Sequence, residues 1–156
     1  MRLKVISIGH KMPDWVNDGV LTYQKRLPRE YHFELIEIPF AGKRDRHADI
    51  AKLIEKEGKK MLAAIQPQDH CIALEVTGQP WSTPQLSQQL QIWQDHTQVC
   101  LLIGGPEGLA PACQARANQT WSLSKLTLPH PLVRVVLVEQ IYRAYTILCG
   151  HPYHRE

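Results

Sequence analysis

The chain has 156 residues, 44% of them hydrophobic, 21% charged and 7% aromatic, with nine glycines and eleven prolines. That length supports one domain burying roughly 70% of its unfolded surface, and the composition excludes collagen-like, mucin-like and wholly disordered chains. The formal charge of +3 is too small to announce a nucleic-acid partner, and the window Lys43 to Lys60, with seven bases against four acids, accounts for all of it.

Short β-branched runs alternate with helical periodicity and no repeat or linker interrupts them, which predicts a single α/β domain over 1–156 with a mainly parallel sheet flanked by helices. Leu3 to Ile8 reads as the first strand. Pro13, suited to an early helical position, opens a helix to about Leu27. Phe33 to Ile38 is the second strand, followed by the basic loop Ala41 to His47. A helix from about Asp49 turns Ile50, Leu53, Ile54, Met61 and Leu62 inward, with Gly58 weakening its middle.

Cys71 to Val76 is the third strand, ended by Gly78-Gln79-Pro80, and Ser82 can cap a helix with Leu86, Leu90 and Trp93 on one face. Val99 to Ile103 is the fourth strand and runs into Gly104-Gly105-Pro106-Glu107-Gly108. A short helix around Ala110 to Ala117, a strand near Gln119 to Ser122 and a loop from Leu123 to Pro129 lead to a long final helix stopped by Gly150. Glu139 and Arg143 form an i,i+4 pair on it.

Four cysteines lie far apart with no C-x-x-C pair, which argues against zinc ribbons and disulfide frameworks. With no signal-peptide pattern at the N-terminus, a reducing, cytoplasmic setting is expected. Leu132 to Cys149 approaches the length of a membrane span, but Arg134, Glu139, Gln140 and Arg143 interrupt it, so the helix is expected inside protein. Its apolar faces exceed what one small domain covers, and self-association is expected.

In open parallel sheets, ligands lie outside the carboxyl ends of strands. Three segments leave such ends: Leu74 to Gly78, Gly104 to Gly108 and Leu123 to Pro129. G-G-P-E-G is neither a dinucleotide fingerprint nor a P-loop, so it reads equally as a turn or a ligand loop. His130, at a helix start that disfavours imidazolium, could accept a proton or could merely cap and pack. Arg134, one turn on, could present charge to the same opening or pair with an acid.

The tail His151-Pro152-Tyr153-His154-Arg155 combines groups that stack on bases and hold phosphate, although termini fray. Its H-x-x-H spacing lacks a third ligand, and no metal is expected. Arg44 and Arg46, on a loop, are placed for RNA phosphates better than the interleaved charges of the following helix. No Ser-His-Asp order, close carboxylate pair or activated cysteine supports hydrolase chemistry.

Lys11-Met12-Pro13-Asp14-Trp15, Phe33 to Pro39, Leu101 to Leu109 and above all Ser122 through His154 resemble the ribosomal RNA large subunit methyltransferase H family, across essentially the whole chain. The resemblance implies a SPOUT-class α/β knot, S-adenosylmethionine as cofactor, a homodimer, and N3-methylation of a pseudouridine in large-subunit rRNA of the assembled ribosome. By motif it implies cofactor contacts at Leu74, Gly104, Gly105, Leu123, Ser124, Lys125, Leu126, Thr127 and Leu128, with Leu126 where relatives often carry Met. His130 or a nearby water would take the proton of the target nitrogen. Arg134 with Tyr153 and His154 would steady the resulting anion, and Arg155 would grip RNA. The rival from another class is a non-catalytic ribosome-associated RNA-binding module; a third is a flavodoxin-like enzyme acting on a small nucleotide.

Overall fold

Ten main elements make up the computed structural model, which describes residues 1–155: β1 (Arg2–Ile8), α1 (Asp14–Gln24), β2 (Glu34–Ile38), α2 (Ile50–Ala63), β3 (His70–Pro80), α3 (Thr83–Trp93), β4 (Gln98–Ile103), α4 (Pro111–Arg116), β5 (Gln119–Ser122) and α5 (His130–Leu148). The five strands form one sheet in the order β2-β1-β4-β3-β5, and every pairing is parallel.

Strand periodicity sorts the side chains into two layers. Leu3, Val5, Ile72, Val99, Leu101 and Ile103 enter the layer packed by α1, α3 and α5, which also holds Trp93, Leu137 and Ile141. Ile6, Ile8, Cys71, Ala73, Cys100 and Leu102 enter the opposite layer with Met61 of α2 and Cys113 of α4. Both faces are therefore covered, as near-continuous apolar strands require. On the second face a Cβ at Gly58 would lie 2.5 Å from that of Ala110, so the glycine that weakens α2 is what lets α4 approach.

Local chemistry starts the helices where the sequence places them. Ser82 and Gln85 form a reciprocal capping box, the hydroxyl accepting from the Gln85 amide and the Gln85 side chain accepting from the Ser82 amide. The Asp49 carboxylate accepts from the Lys52 amide at 3.2 Å. Two boundaries differ from expectation. α1 stops at Gln24, and β3 does not end at Gly78 but continues to Pro80, where Gln79 and Pro80 pair with Trp121 and Ser122 after a register shift. A Cβ at Gly78 would sit 2.7 Å from the Trp121 backbone, so here glycine permits strand approach rather than a turn.

The long α5 lies against α1 and α3, which bury Leu137, Val138, Ile141 and Ala144. Those neighbours account for much of the apolar surface expected to seek a second copy. Exposed large apolar side chains remain at Trp15, Leu21, Ile92 and Leu148. Among the described residues no helix is long and apolar enough to cross a membrane.

Candidate active site

The carboxyl ends of β3 and β4 and the segment after β5 meet around a cleft of about 370 Å³. Its walls are residues 74–77, 103–109, 123–124 and 126–128, closed by Gln114 of α4 and by His130 and Val133 of α5. Of the nine cofactor positions expected from the sequence, Leu74, Gly104, Gly105, Leu123, Ser124, Leu126, Thr127 and Leu128 line it; Lys125 is exposed and lies outside its walls.

Each wall has a local cause. The glycine loop folds back on itself, with the Gly108 amide donating to the Gly105 carbonyl at 3.0 Å. Gly108 has φ +87°. A Cβ on Gly104 would lie 2.4 Å from the Gly108 carbonyl carbon, so no larger residue fits the fold-back. In the third wall the Ser122 hydroxyl donates to the Ser124 carbonyl at 2.9 Å, and the Ser124 hydroxyl accepts from the Leu126 amide at 2.9 Å. These bonds leave Leu126 at the cleft yet 73% exposed.

The charge in the cleft is one-signed. Glu75 and Glu107 line it, and no Lys or Arg among the described residues does. Glu75 accepts from the Gln114 side chain at 2.6 Å. Glu107 is neutralised by Arg44, so the apolar walls from Leu74, Ile103, Leu109 and Leu123 with the Glu75 carboxylate are what fit a ligand that pairs an apolar ring with a positive centre. A sulfonium-bearing adenosine is such a ligand.

His130 opens α5 at the cleft wall, edge-on to Phe40 with ring centroids 6.1 Å apart. Its Nδ1 is buried and has no hydrogen-bond partner among the described residues. Burial and the nearby Arg134 cation push its proton affinity below the ordinary histidine value, with Glu107 opposing them weakly. The ring is neutral at pH 7 and able to accept a proton.

The expectation for Arg134 is not met. Its guanidinium is 1% exposed and does not line the cleft. It donates to Ser7 Oγ at 3.1 Å, Glu37 Oε2 at 2.7 Å and the Gly9 carbonyl at 2.7 Å. It pairs with an acid, the other reading left open, and staples α5 to β1 and β2.

Arg44 also departs from expectation. It faces inward, to buried Glu57 and, at 3.1 Å, to Glu107, with Phe40 beneath it. Arg46 and Arg155 are exposed. Glu75, Gln114, Glu107 and Phe40 were given no role of their own from sequence, although the segments Leu74 to Gly78 and Gly104 to Gly108 enclose Glu75 and Glu107.

The tail does not reach the cleft within one chain. The Tyr153 hydroxyl donates to Glu139 at 3.0 Å, and its ring lies 4.8 Å from that of Tyr142 and 4.6 Å from the Arg143 guanidinium. Glu139 also accepts from Arg143 at 2.6 Å, the i,i+4 pair expected. Those partners sit nine or more residues along α5 from His130, roughly 13 Å along the helix axis. His154, beside Tyr153, is half-buried.

A protein-family model described as predicted SPOUT methyltransferase matches residues 1–154. With the match running the length of the chain and the strand-end loops already enclosing an adenosyl-sized cleft, this chain belongs to the SPOUT methyltransferase family, whose members take S-adenosylmethionine as methyl donor.

Proposed function

We propose that the protein methylates N3 of a pseudouridine in large-subunit ribosomal RNA, acting in the cytoplasm as a homodimer on the assembled ribosome. The observation that carries this reading is a neutral, partly buried imidazole, with one orphaned ring nitrogen, at the edge of a cleft suited to a cationic adenosine. The motif resemblance of residues 122–154 supplies the finer choice of nucleotide.

The walls at Leu74, Gly104 to Gly105 and Leu123 to Leu128 would hold S-adenosylmethionine, with Lys125 at their outer edge. The cofactor supplies an activated methyl carbon. His130, directly or through a water, removes the proton from a ring nitrogen flanked by two carbonyls, and so makes it nucleophilic. Apolar walls exclude water, and alignment of the two reactants contributes much of the acceleration.

Because Arg134 is spent inside the fold, the anion is steadied instead by His154 and Arg155 from a second copy, on a tail that Tyr153 holds in place. Burial and the bond to Glu139 raise the Tyr153 hydroxyl to about 12, so it stays protonated; its one hydrogen goes to Glu139, and Tyr153 anchors the tail on α5 rather than donating to the anion. Exposed Arg46 contacts RNA phosphate.

The test is methyl transfer from labelled cofactor to intact ribosomes, separated subunits and deproteinised rRNA, with the product mapped. Label at N3 of one large-subunit pseudouridine is expected. Label on another base or on the small subunit overturns the assignment. Cofactor that leaves the melting temperature unmoved and transfers no label would make the protein a binding module instead.

A further inference from the structure

The geometry points to Arg44 as a positioning residue that fixes the glycine loop for its adenosyl ligand, acting through Glu107. This rests on the reading of the cleft as a cofactor seat. Glu107 occupies the tip of the 105–108 turn and lines the cleft. Arg44 grips that carboxylate with two donors, Nε to Oε1 at 3.1 Å and Nη2 to Oε2 at 3.4 Å.

The other end of the bracket is anchored in the interior. Glu57 of α2 is 3% exposed, and its Oε1 accepts from the Ala41 amide at 3.0 Å and from Arg44 Nη2. A carboxylate so buried has to keep its cation, and this removes the freedom of Arg44 to swing outward. Nη1 donates to the Gly42 carbonyl at 3.2 Å, and the guanidinium lies 4.5 Å from the Phe40 ring centroid. Phe40 in turn packs against Gly9, Gly105 and His130. One side chain therefore links α2, the loop after β2 and the cofactor loop, and the planar fork of arginine spans two carboxylates where a lysine ammonium could not.

Three proteins test this: Arg44→Gln, Glu107→Ala and the double variant, each with calorimetric titration of S-adenosylmethionine and of S-adenosylhomocysteine, which lacks the sulfonium charge. Amide exchange of residues 104–108 in the ligand-free proteins is read alongside. Arg44→Gln is expected to weaken both ligands about tenfold, the scale of one lost charge-assisted bond, and to speed exchange at Gly108. Glu107→Ala, which leaves the buried Arg44–Glu57 pair intact, should do the same, and the double variant should bind no worse than Arg44→Gln.

Additive losses would mean that Glu107 touches the ligand on its own account and would overturn the inference. So would unchanged affinities with unchanged exchange. Tighter binding of the sulfonium ligand alone would show Arg44 to be only a charge screen. Wild-type protein that binds neither ligand removes the cofactor reading itself, a result distinct from any of these.

Discussion

At pH 7 the His130 imidazole is neutral because burial and the Arg134 cation both disfavour its proton. The folded protein holds that proton more weakly than the unfolded chain does. The neutral ring therefore contributes stability above pH 6.5 that is lost as pH falls through the lower folded value. Activity should follow the same group, with an acid limb below 6.5. His130→Gln is expected to lower kcat by about 10²–10⁴-fold, to leave cofactor affinity nearly unchanged and to abolish that limb; single-turnover rates across the range check it. An unchanged rate would clear His130 of the base role. The residue types at this site were legible in the sequence, but their commitments were not. Arg134 and Arg44 look alike on paper as available cations, and each is claimed by a carboxylate far away in the chain.

Among the elements, α5 is joined to the sheet by one polar staple in an apolar layer. Arg134 reaches Ser7 and Gly9 on one strand and its exit, and Glu37 on the next. Arg134→Met would strip a charged donor from the buried Ser7 hydroxyl and the Gly9 carbonyl, and is expected to cost about 3–5 kcal/mol in urea unfolding. Glu37→Gln keeps an acceptor for the guanidinium but leaves that buried cation without its counter-ion, and should cost less, about 1–3 kcal/mol. Equal losses would contradict this account. Strand and helix order followed from periodicity, since period 2 and period 3.6 are local properties. The run of β3 past Gly78 did not, because it depends on a backbone that arrives 43 residues later at Trp121.

For the whole molecule, the tail is held at Glu139, away from His130 along α5, so the proposed site draws on two chains. Deleting residues 152–156 is expected to keep the thermal stabilisation by S-adenosylmethionine, about 2.7 kcal/mol at one hundred times Kd, and to lose RNA methylation. Mixing that protein with His130→Gln under subunit exchange should restore about a quarter of wild-type activity: half the dimers are mixed, and each carries one intact cleft facing one intact tail. Absence of recovery would return the tail to a role within its own chain. Sedimentation of the mixture shows whether exchange has occurred.

Alternation of apolar residues, the helix start near Asp49, the cap at Ser82 and the glycines after Ile103 were enough to read a parallel α/β domain and three candidate loops, since each rests on neighbours within a few residues. Which side chains those loops would share, which cations the core would consume and how far the tail would lie from the cleft depended on contacts spanning up to 127 residues. Charge pairing in a low-dielectric interior is decided by which groups meet there, and only the folded chain brings Arg44 to Glu57 and Arg134 to Glu37.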